Sequence, residues 1–267
     1  MPELPEVETT RRGIAPFVTG RVVERVLLRR KDLRWPIPRE LVTKLPGQRI
    51  AAVQRRAKYL LLHTQAGSAL LHLGMSGSLR IADPDLPPRT HDHYDLVFDS
   101  GQALRFNDPR RFGCLLWQKP GETHPLLRNL GPEPLGDAFD GDWLWNASRG
   151  RSAVVKTFLM DQAIVVGVGN IYASEALHVA HLSPLRRAST IATKSGLPRP
   201  GCARLVAAIK SVLRRAISLK ESARYRDSRF RVYDREGERC PTPGCRGTIL
   251  RVSQAGRSTF YCPVCQR

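Results

Sequence analysis

Four cysteines crowd the end of the chain in the pattern Cys240-x4-Cys245-x16-Cys262-x2-Cys265. Two close pairs separated by a short span place four thiolates tetrahedrally around one zinc ion. Four sulfur ligands leave no open position for water, so this zinc is read as structural. Disulfides or free thiols are the other reading, and a disulfide scaffold would be odd in a cytosolic chain of this size. Between the pairs, residues 248–252 and 258–261 flank a glycine-containing turn at 254–257, which reads as a metal-stapled β-hairpin. Arg257 falls at its tip, where a cation reaches a phosphate or a groove. A zinc ribbon alone does not specify DNA.

A different chemistry is offered by Met1-Pro2-Glu3-Leu4-Pro5-Glu6. Methionine before proline is normally removed, leaving Pro2 with a free secondary amine. An α-amino group has a pKa of about 8, and nearby Lys and Arg lower it. Such an amine attacks a sugar C1′ and forms an iminium. Glu3 and Glu6 supply a carboxylic acid and a carboxylate within reach. Pro and Glu near a helix start are also ordinary capping chemistry. A third signal is Gly167-Val168-Gly169-Asn170, where two glycines permit a tight turn and backbone amides at the next helix start could hold a phosphate. The same turn equally serves as a plain helix–helix connection.

These residues need elements to hold them. Residues 5–18 read as an amphipathic helix with acids in its first turn. Short β-like runs follow at 22–28, 50–53, 59–63, 69–73, 94–98, 103–106 and 114–117, separated by Gly, Pro and Asp. Such a series suggests a β-sandwich or barrel. A Gly/Pro/Asp-rich stretch at 132–141 reads as a linker, extended to 150. Helices are expected at 154–165, at 170–180 with Asn170 as N-cap, and at 203–217, the last with Leu205, Ile209, Val212, Leu213 and Ala216 on one stripe. Cys114 and Cys202 stand alone in apolar surroundings and read as core residues.

The chain has 267 residues, which favours two domains, and no apolar run long enough for a membrane span. The acidic N-terminus is unlike a signal peptide, so a cytoplasmic location is expected. Lys and Arg number 43 against 24 Asp and Glu, a formal charge of +19. That excess suggests a polyanion partner, since neutralising phosphates releases condensed counterions. Arginines spread among apolar residues argue for a folded basic face rather than a tail.

Taken together, these segments resemble the bacterial formamidopyrimidine-DNA glycosylases nearly end to end. The resemblance rests on Met1 to Thr9, on Gln54-Arg55-Arg56-Ala57-Lys58-Tyr59-Leu60, and on His72-Leu73-Gly74-Met75-Ser76-Gly77-Ser78-Leu79-Arg80. It extends to Asp108-Pro109-Arg110-Arg111-Phe112-Gly113, to Gly167 through Glu175, and to Arg257 through Gln266. It implies an α+β fold: an N-terminal β-sandwich catalytic domain (1–131), a linker (132–150), a helix–two-turn–helix domain (151–234) and a zinc finger (235–267). Duplex DNA would lie between the sandwich and the helical part. Pro2 would be the nucleophile, Glu3 the general acid that opens the deoxyribose ring, and Glu6 a group positioning sugar or water. Lys58 would contact the phosphate beside the lesion, and Arg257 would join this catalytic set. Met75, Arg110 and Phe112 would fill the void left by the extruded nucleotide, with Arg110 pairing the orphaned base. His72 and Asn170 would grip the backbone, and Lys156 would lie near the lesion pocket. His91 is placed with the DNA-contacting set; like His93, it reads as structural or surface rather than catalytic. Met75 and Phe112 could equally be core, and His72 a satisfied strand histidine.

The implied activity is excision of oxidised purines, formamidopyrimidine and 8-oxoguanine, through a Pro2 Schiff base followed by β- and δ-elimination. One structural zinc, damaged duplex DNA as partner, no small-molecule cofactor and a monomer are expected. A relative favouring oxidised pyrimidines and a lesion binder without turnover are the alternatives. One departure stands out: the segment from Ala216 to Phe230 lacks glycine where the family carries a longer glycine-containing loop that caps everted 8-oxoguanine. A loop without glycine has fewer positive-φ options, so lesion capping is expected to differ.

Overall fold

The computed structural model describes residues 2–191, 200–221 and 230–267. The chain divides into two compact units, Met1–Asn129 and Leu130–Arg267.

The first unit opens with helix α1 (Leu4–Val18), which buries Leu4, Val7, Ile14 and Val18 on one side. Eight strands follow: β1 (Val23–Leu28), β2 (Ala52–Arg56), β3 (Tyr59–Thr64), β4 (Gly67–His72), β5 (Ser78–Ala82), β6 (Asp92–Phe98), β7 (Ala103–Asn107) and β8 (Cys114–Gln118). A short helix, α2 (Glu40–Thr43), lies between β1 and β2. The strands form two four-stranded sheets, ordered β1-β6-β7-β5 and β2-β3-β4-β8, in which every pairing is antiparallel. Val7, Leu60, Leu62, Leu71, Tyr94, Leu96, Phe106 and Leu115 share one apolar cluster. The expected strands are present. Only β5 escaped the sequence reading, because Ser78-Leu79-Arg80-Ile81-Ala82 mixes polar and apolar residues on a half-buried edge.

Strand β6 is buried along its whole length although it carries two aspartates. Asp95 accepts two hydrogen bonds from Arg105 (2.9 and 2.8 Å) and two from Arg29. A buried charge needs such pairing to offset its desolvation.

Helix α3 (Pro125–Arg128) closes the first unit, and the second contains helices α4 (Gly141–Ser148), α5 (Val155–Met160), α6 (Asn170–Val179) and α7 (Pro200–Glu221), then hairpin β9 (Leu250–Gln254) and β10 (Arg257–Tyr261). The stretch 132–150, read as a linker, carries α4, and Phe139 and Leu144 are fully buried in the core of this unit. Its Gly and Pro content hid a helix capped by Asp140, which accepts the Trp143 N–H at 2.8 Å. Helix α5 stops at Met160, short of the expected 165, with Asp161 as C-cap. Helix α7 is longer than expected and buries Leu205, Ile209 and Leu213, with Val212 and Ala216 partly covered. Of the glycine-free segment, residues 222–229 lie outside the described residues. Among the described residues no helix is long and apolar enough to cross a membrane.

Candidate active site and zinc centre

In the first unit the acidic pair near the terminus is fixed by α1. Glu3 is the N-cap in extended conformation, and the Glu6 side chain accepts the Glu3 backbone N–H at 2.8 Å while Glu3 accepts from the N–H of Glu6. This reciprocal capping box satisfies two otherwise orphaned helix donors. Glu3 is buried at 2% exposure, and Pro2, one residue ahead, is half-buried.

Lys58 sits in the two-residue turn joining β2 to β3, where Arg56 pairs with Tyr59 and Ala57 adopts φ 55°. Buried Glu8 accepts Arg55 Nε at 3.1 Å, and Arg55 Nη1 donates to the Ala57 carbonyl at 3.0 Å. Three arginines, at 11, 12 and 55, hold the Glu8 carboxyl down at about 2 against the cost of burial. His72 ends β4, facing Tyr59 with ring centroids 4.8 Å apart. Its Nδ1 accepts the Gly74 N–H at 2.9 Å, which leaves the proton on Nε2. Burial, with the cations Lys58 and Arg34 nearby, pushes His72 down to about 4, so the ring is a neutral donor at pH 7.

Two loops are latched together by Asp108, which has no exposed surface. It accepts Ser76 Oγ at 2.6 Å, Gly113 N–H at 2.8 Å and Arg110 N–H at 3.2 Å. Gly74, at φ +66°, lies so close that a Cβ would stand 2.4 Å from the Gly113 nitrogen. Above this latch Met75 and Phe112 are exposed, at 39% and 44%. Neither is core, and the Arg110 guanidinium lies 4.8 Å over the Phe112 ring. The structure thus brings Met75, Arg110 and Phe112 onto one support. His91, exposed with φ 72°, gives its carbonyl to the Asp108 N–H at 3.1 Å, and His93 Nε2 meets the Asp108 carbonyl at 2.8 Å. The sequence placed Asp108 in a motif without giving it a role. The signal was its position at the head of Asp-Pro-Arg-Arg-Phe-Gly.

In the second unit Lys156 is 1% exposed. Its Nζ donates to Asn170 Oδ1 (2.6 Å), the Ser258 carbonyl (2.9 Å) and Thr259 Oγ1 (2.7 Å). Three ammonium donors meet three acceptors, so Lys156 ties α5 and α6 to β10. Asn170 is not the N-cap: Gly169 is, and the Asn170 amide donates to the Ser258 carbonyl at 3.0 Å. Gly167, at φ 77°, makes the turn before α6, with its N–H held by Gln162 at 2.8 Å. Ala255 and Gly256 both have positive φ, the two-residue turn that matches strand twist. Arg257 follows it, exposed, beside a 260 Å³ groove lined in part by Lys156, Asp161 and Gln254.

The sulfurs of Cys240, Cys245, Cys262 and Cys265 all lie within 4.8 Å of one another. The Cys240–Cys265 and Cys245–Cys262 separations are 3.7 and 3.6 Å. Four sulfurs each about 2.3 Å from a central zinc give tetrahedral edges of about 3.8 Å. The set therefore fits one tetrahedral zinc. Gly247 approaches it closely, since a Cβ there would meet Cys262 Sγ at 2.5 Å, and its N–H donates to Cys245 Sγ at 3.4 Å. Next to the cluster stands buried His178 of α6, with Nε2 3.5 Å from Cys240 Sγ and 3.2 Å from Thr242 Oγ1. Sequence reasoning missed His178, because its partner is 62 residues away. Glu175, one turn earlier, accepts the backbone N–H groups of Arg231, Val232 and Tyr233 at 2.8 to 3.0 Å.

Comparison with known proteins covers both units. Family models described as the formamidopyrimidine-DNA glycosylase N-terminal domain, the formamidopyrimidine-DNA glycosylase H2TH domain and the zinc finger found in FPG and IleRS match residues 1–115, 130–227 and 237–267. A curated protein of Stenotrophomonas maltophilia strain R551-3, named formamidopyrimidine-DNA glycosylase, is 56% identical, with all of both chains covered. The structure of MutM (Fpg) from Thermus thermophilus is 37% identical with a TM-score of 0.84, covering 99% of this chain and 98% of that one. Lactococcus lactis Fpg, solved in complex with oxidised-pyrimidine-containing DNA, is 30% identical with a TM-score of 0.88 over the whole of both chains.

Proposed function

The chain belongs to the formamidopyrimidine-DNA glycosylase family, and from that premise we propose how its own residues carry out base excision. It is a DNA glycosylase and abasic-site lyase that acts on damaged duplex DNA and holds one structural zinc. With Met1 removed, the Pro2 amine attacks C1′ of the everted nucleotide. The C1′–N bond breaks, the oxidised base leaves, and an iminium links enzyme to sugar. Buried Glu3 donates the proton that opens the deoxyribose ring. Glu6 orients the terminus through the Glu3 N–H. Elimination on either side of the opened sugar then cuts the strand twice.

Lys58 and the Nε2 proton of neutral His72 serve the phosphates of the damaged strand. Met75 and Phe112 wedge into the duplex, and Arg110 pairs the base left without a partner. His91, on the same Asp108-latched frame, contacts the backbone. Asn170 and Arg257 add grip from the helical unit, with Lys156 fixing Asn170 in place. The substrates are oxidised purines, formamidopyrimidine and 8-oxoguanine. The Lactococcus complex favours a second reading, in which oxidised pyrimidines are also accepted. The site of action is the bacterial cytoplasm.

The observation that carries the mechanism is Pro2 standing one residue ahead of the Glu3–Glu6 capping box. Borohydride trapping on duplexes containing 8-oxoguanine, formamidopyrimidine, an oxidised pyrimidine or an abasic site tests it. An adduct with wild type that is lost in Pro2→Gly, while DNA affinity persists, is the expected result. No adduct on any substrate, from protein shown by intact mass to lack Met1, refutes the amine mechanism.

A further inference from the structure

The zinc-binding sulfurs do not stand alone. His178 lies at the C-terminal end of α6, the helix whose first residue is Asn170, and is 1% exposed. Its Nε2 is 3.5 Å from Cys240 Sγ, 3.9 Å from Cys265 Sγ and 3.2 Å from Thr242 Oγ1. Thr242 Oγ1 in turn lies 3.7 Å from Cys265 Sγ. On the far side of the ring, Nδ1 is buried and has no hydrogen-bond partner. The hydrogen bonding of this ring is therefore directed at the cysteine cluster.

The direction of those bonds follows from the chemistry of the ligand set. A cysteine that binds zinc does so as a thiolate and has no proton to donate. Across the short His178–Cys240 contact, the proton must sit on Nε2. The Thr242 hydroxyl meets the same constraint at Cys265, where it must donate. Four thiolates around one divalent cation leave net negative charge in a buried place, which N–H and O–H donors stabilise. Gly247 supplies one such donor to Cys245, and His178 and Thr242 serve the opposite edge of the tetrahedron.

We propose that His178 is a positioning residue of the zinc centre: its Nε2–H stabilises the Cys240 thiolate directly and the Cys265 thiolate through the Thr242 hydroxyl, and so slows metal loss. Outer partners of this kind orient ligands and hold the metal more tightly. The consequence reaches beyond the metal. The same helix meets β10 through Asn170 at its other end, so a finger that keeps its zinc also keeps the strand carrying Arg257 in register with α6. This role does not depend on the excision mechanism.

The test is zinc release from the full-length holoenzyme into excess chelator, followed with a chromogenic zinc indicator. His178→Phe keeps an aromatic ring without a donor, and His178→Gln returns an N–H. The Phe variant is expected to lose zinc about ten- to a hundredfold faster than wild type, and the Gln variant to recover most of the difference. Cobalt substitution gives a second readout: the sulfur-to-cobalt charge-transfer band should move to lower energy in the Phe variant and return in the Gln variant. Wild-type release from His178→Phe overturns the proposal, and so does equally fast release from both variants. Should the Phe variant fail to fold, Thr242→Val decides, because faster release is expected from it and a wild-type rate refutes the relay to Cys265.

Discussion

The Glu6 carboxylate accepts the backbone N–H of Glu3 at 2.8 Å, so the peptide that follows Pro2 is held by a side chain one turn into α1. The cap thus uses the same two carboxylates that the proposed mechanism places beside the nucleophile. Removing the acceptor in Glu6→Ala should cost about 1 kcal/mol of stability as a lost cap. It should cost much more in the reaction, since a displaced nucleophile loses about a hundredfold in rate. Single-turnover trapping on abasic-site DNA measures this. Trapping at the wild-type rate would detach Glu6 from the nucleophile.

His72 gives a pH dependence of known sign. Its folded-state pKa is lowered to about 4 by burial beside Lys58 and Arg34, whereas in the unfolded chain it is about 6.5. Below pH 6.5 the unfolded chain binds a proton that the folded ring refuses. The stabilisation is fully present above pH 6.5 and is lost as pH falls toward 4. Between pH 7 and 5 the wild type should lose about 2 kcal/mol more than His72→Gln in urea unfolding of the first unit. Parallel losses would show that the ring is protonated in the fold.

Lys156 separates two roles by a stability measurement. As a strut, Lys156→Met takes the ammonium donor from Asn170 Oδ1, the Ser258 carbonyl and Thr259 Oγ1, although the carbonyl keeps the Asn170 amide and the hydroxyl keeps Gln254. A cost of about 1–3 kcal/mol is then expected, seen as a lower thermal midpoint. Activity lost at an unchanged midpoint would instead make Lys156 a group that touches the lesion.

Gly74→Ala should unseat the wedge. The new Cβ would lie 2.4 Å from the Gly113 nitrogen at a φ of +66°, so the Asp108 latch has to open. Lesion excision from duplex DNA should fall while cleavage of a single-stranded abasic site survives, because the terminus is untouched. Equal losses on both substrates would argue against Met75, Arg110 and Phe112 as a duplex-reading set.

Arg257 stands exposed at the hairpin tip, and Arg257→Ala should weaken duplex binding and lower the salt slope by about one. Binding that keeps its affinity and its slope would take the tip off the DNA.

The motifs that carry chemistry were legible in the chain because each is local. The Pro2-to-Glu6 terminus is an acidic helix start, the cysteine spacing is itself a ligand geometry, and the runs at 59–63, 94–98 and 114–117 alternate or bury as strands do. Their order gave a run of strands followed by helices, and the α+β architecture was implied by the family resemblance. What the chain alone did not settle depends on partners distant in sequence. Lys156 is placed near a lesion pocket by resemblance alone, and nothing in the chain shows that Ser258 and Thr259, about a hundred residues on, take its protons. Asn170 reads as a helix cap by residue type, yet Gly169 caps the helix and Asn170 turns to β10. Phe139 and Leu144 looked like linker because the Gly and Pro around them are visible in sequence and the core that receives them is not. Asp108 and His178 had only their residue types to offer. A buried carboxylate acquires its role from the loops it latches, and a buried imidazole from the thiolates beside it, and both sets of partners are assembled by tertiary packing alone.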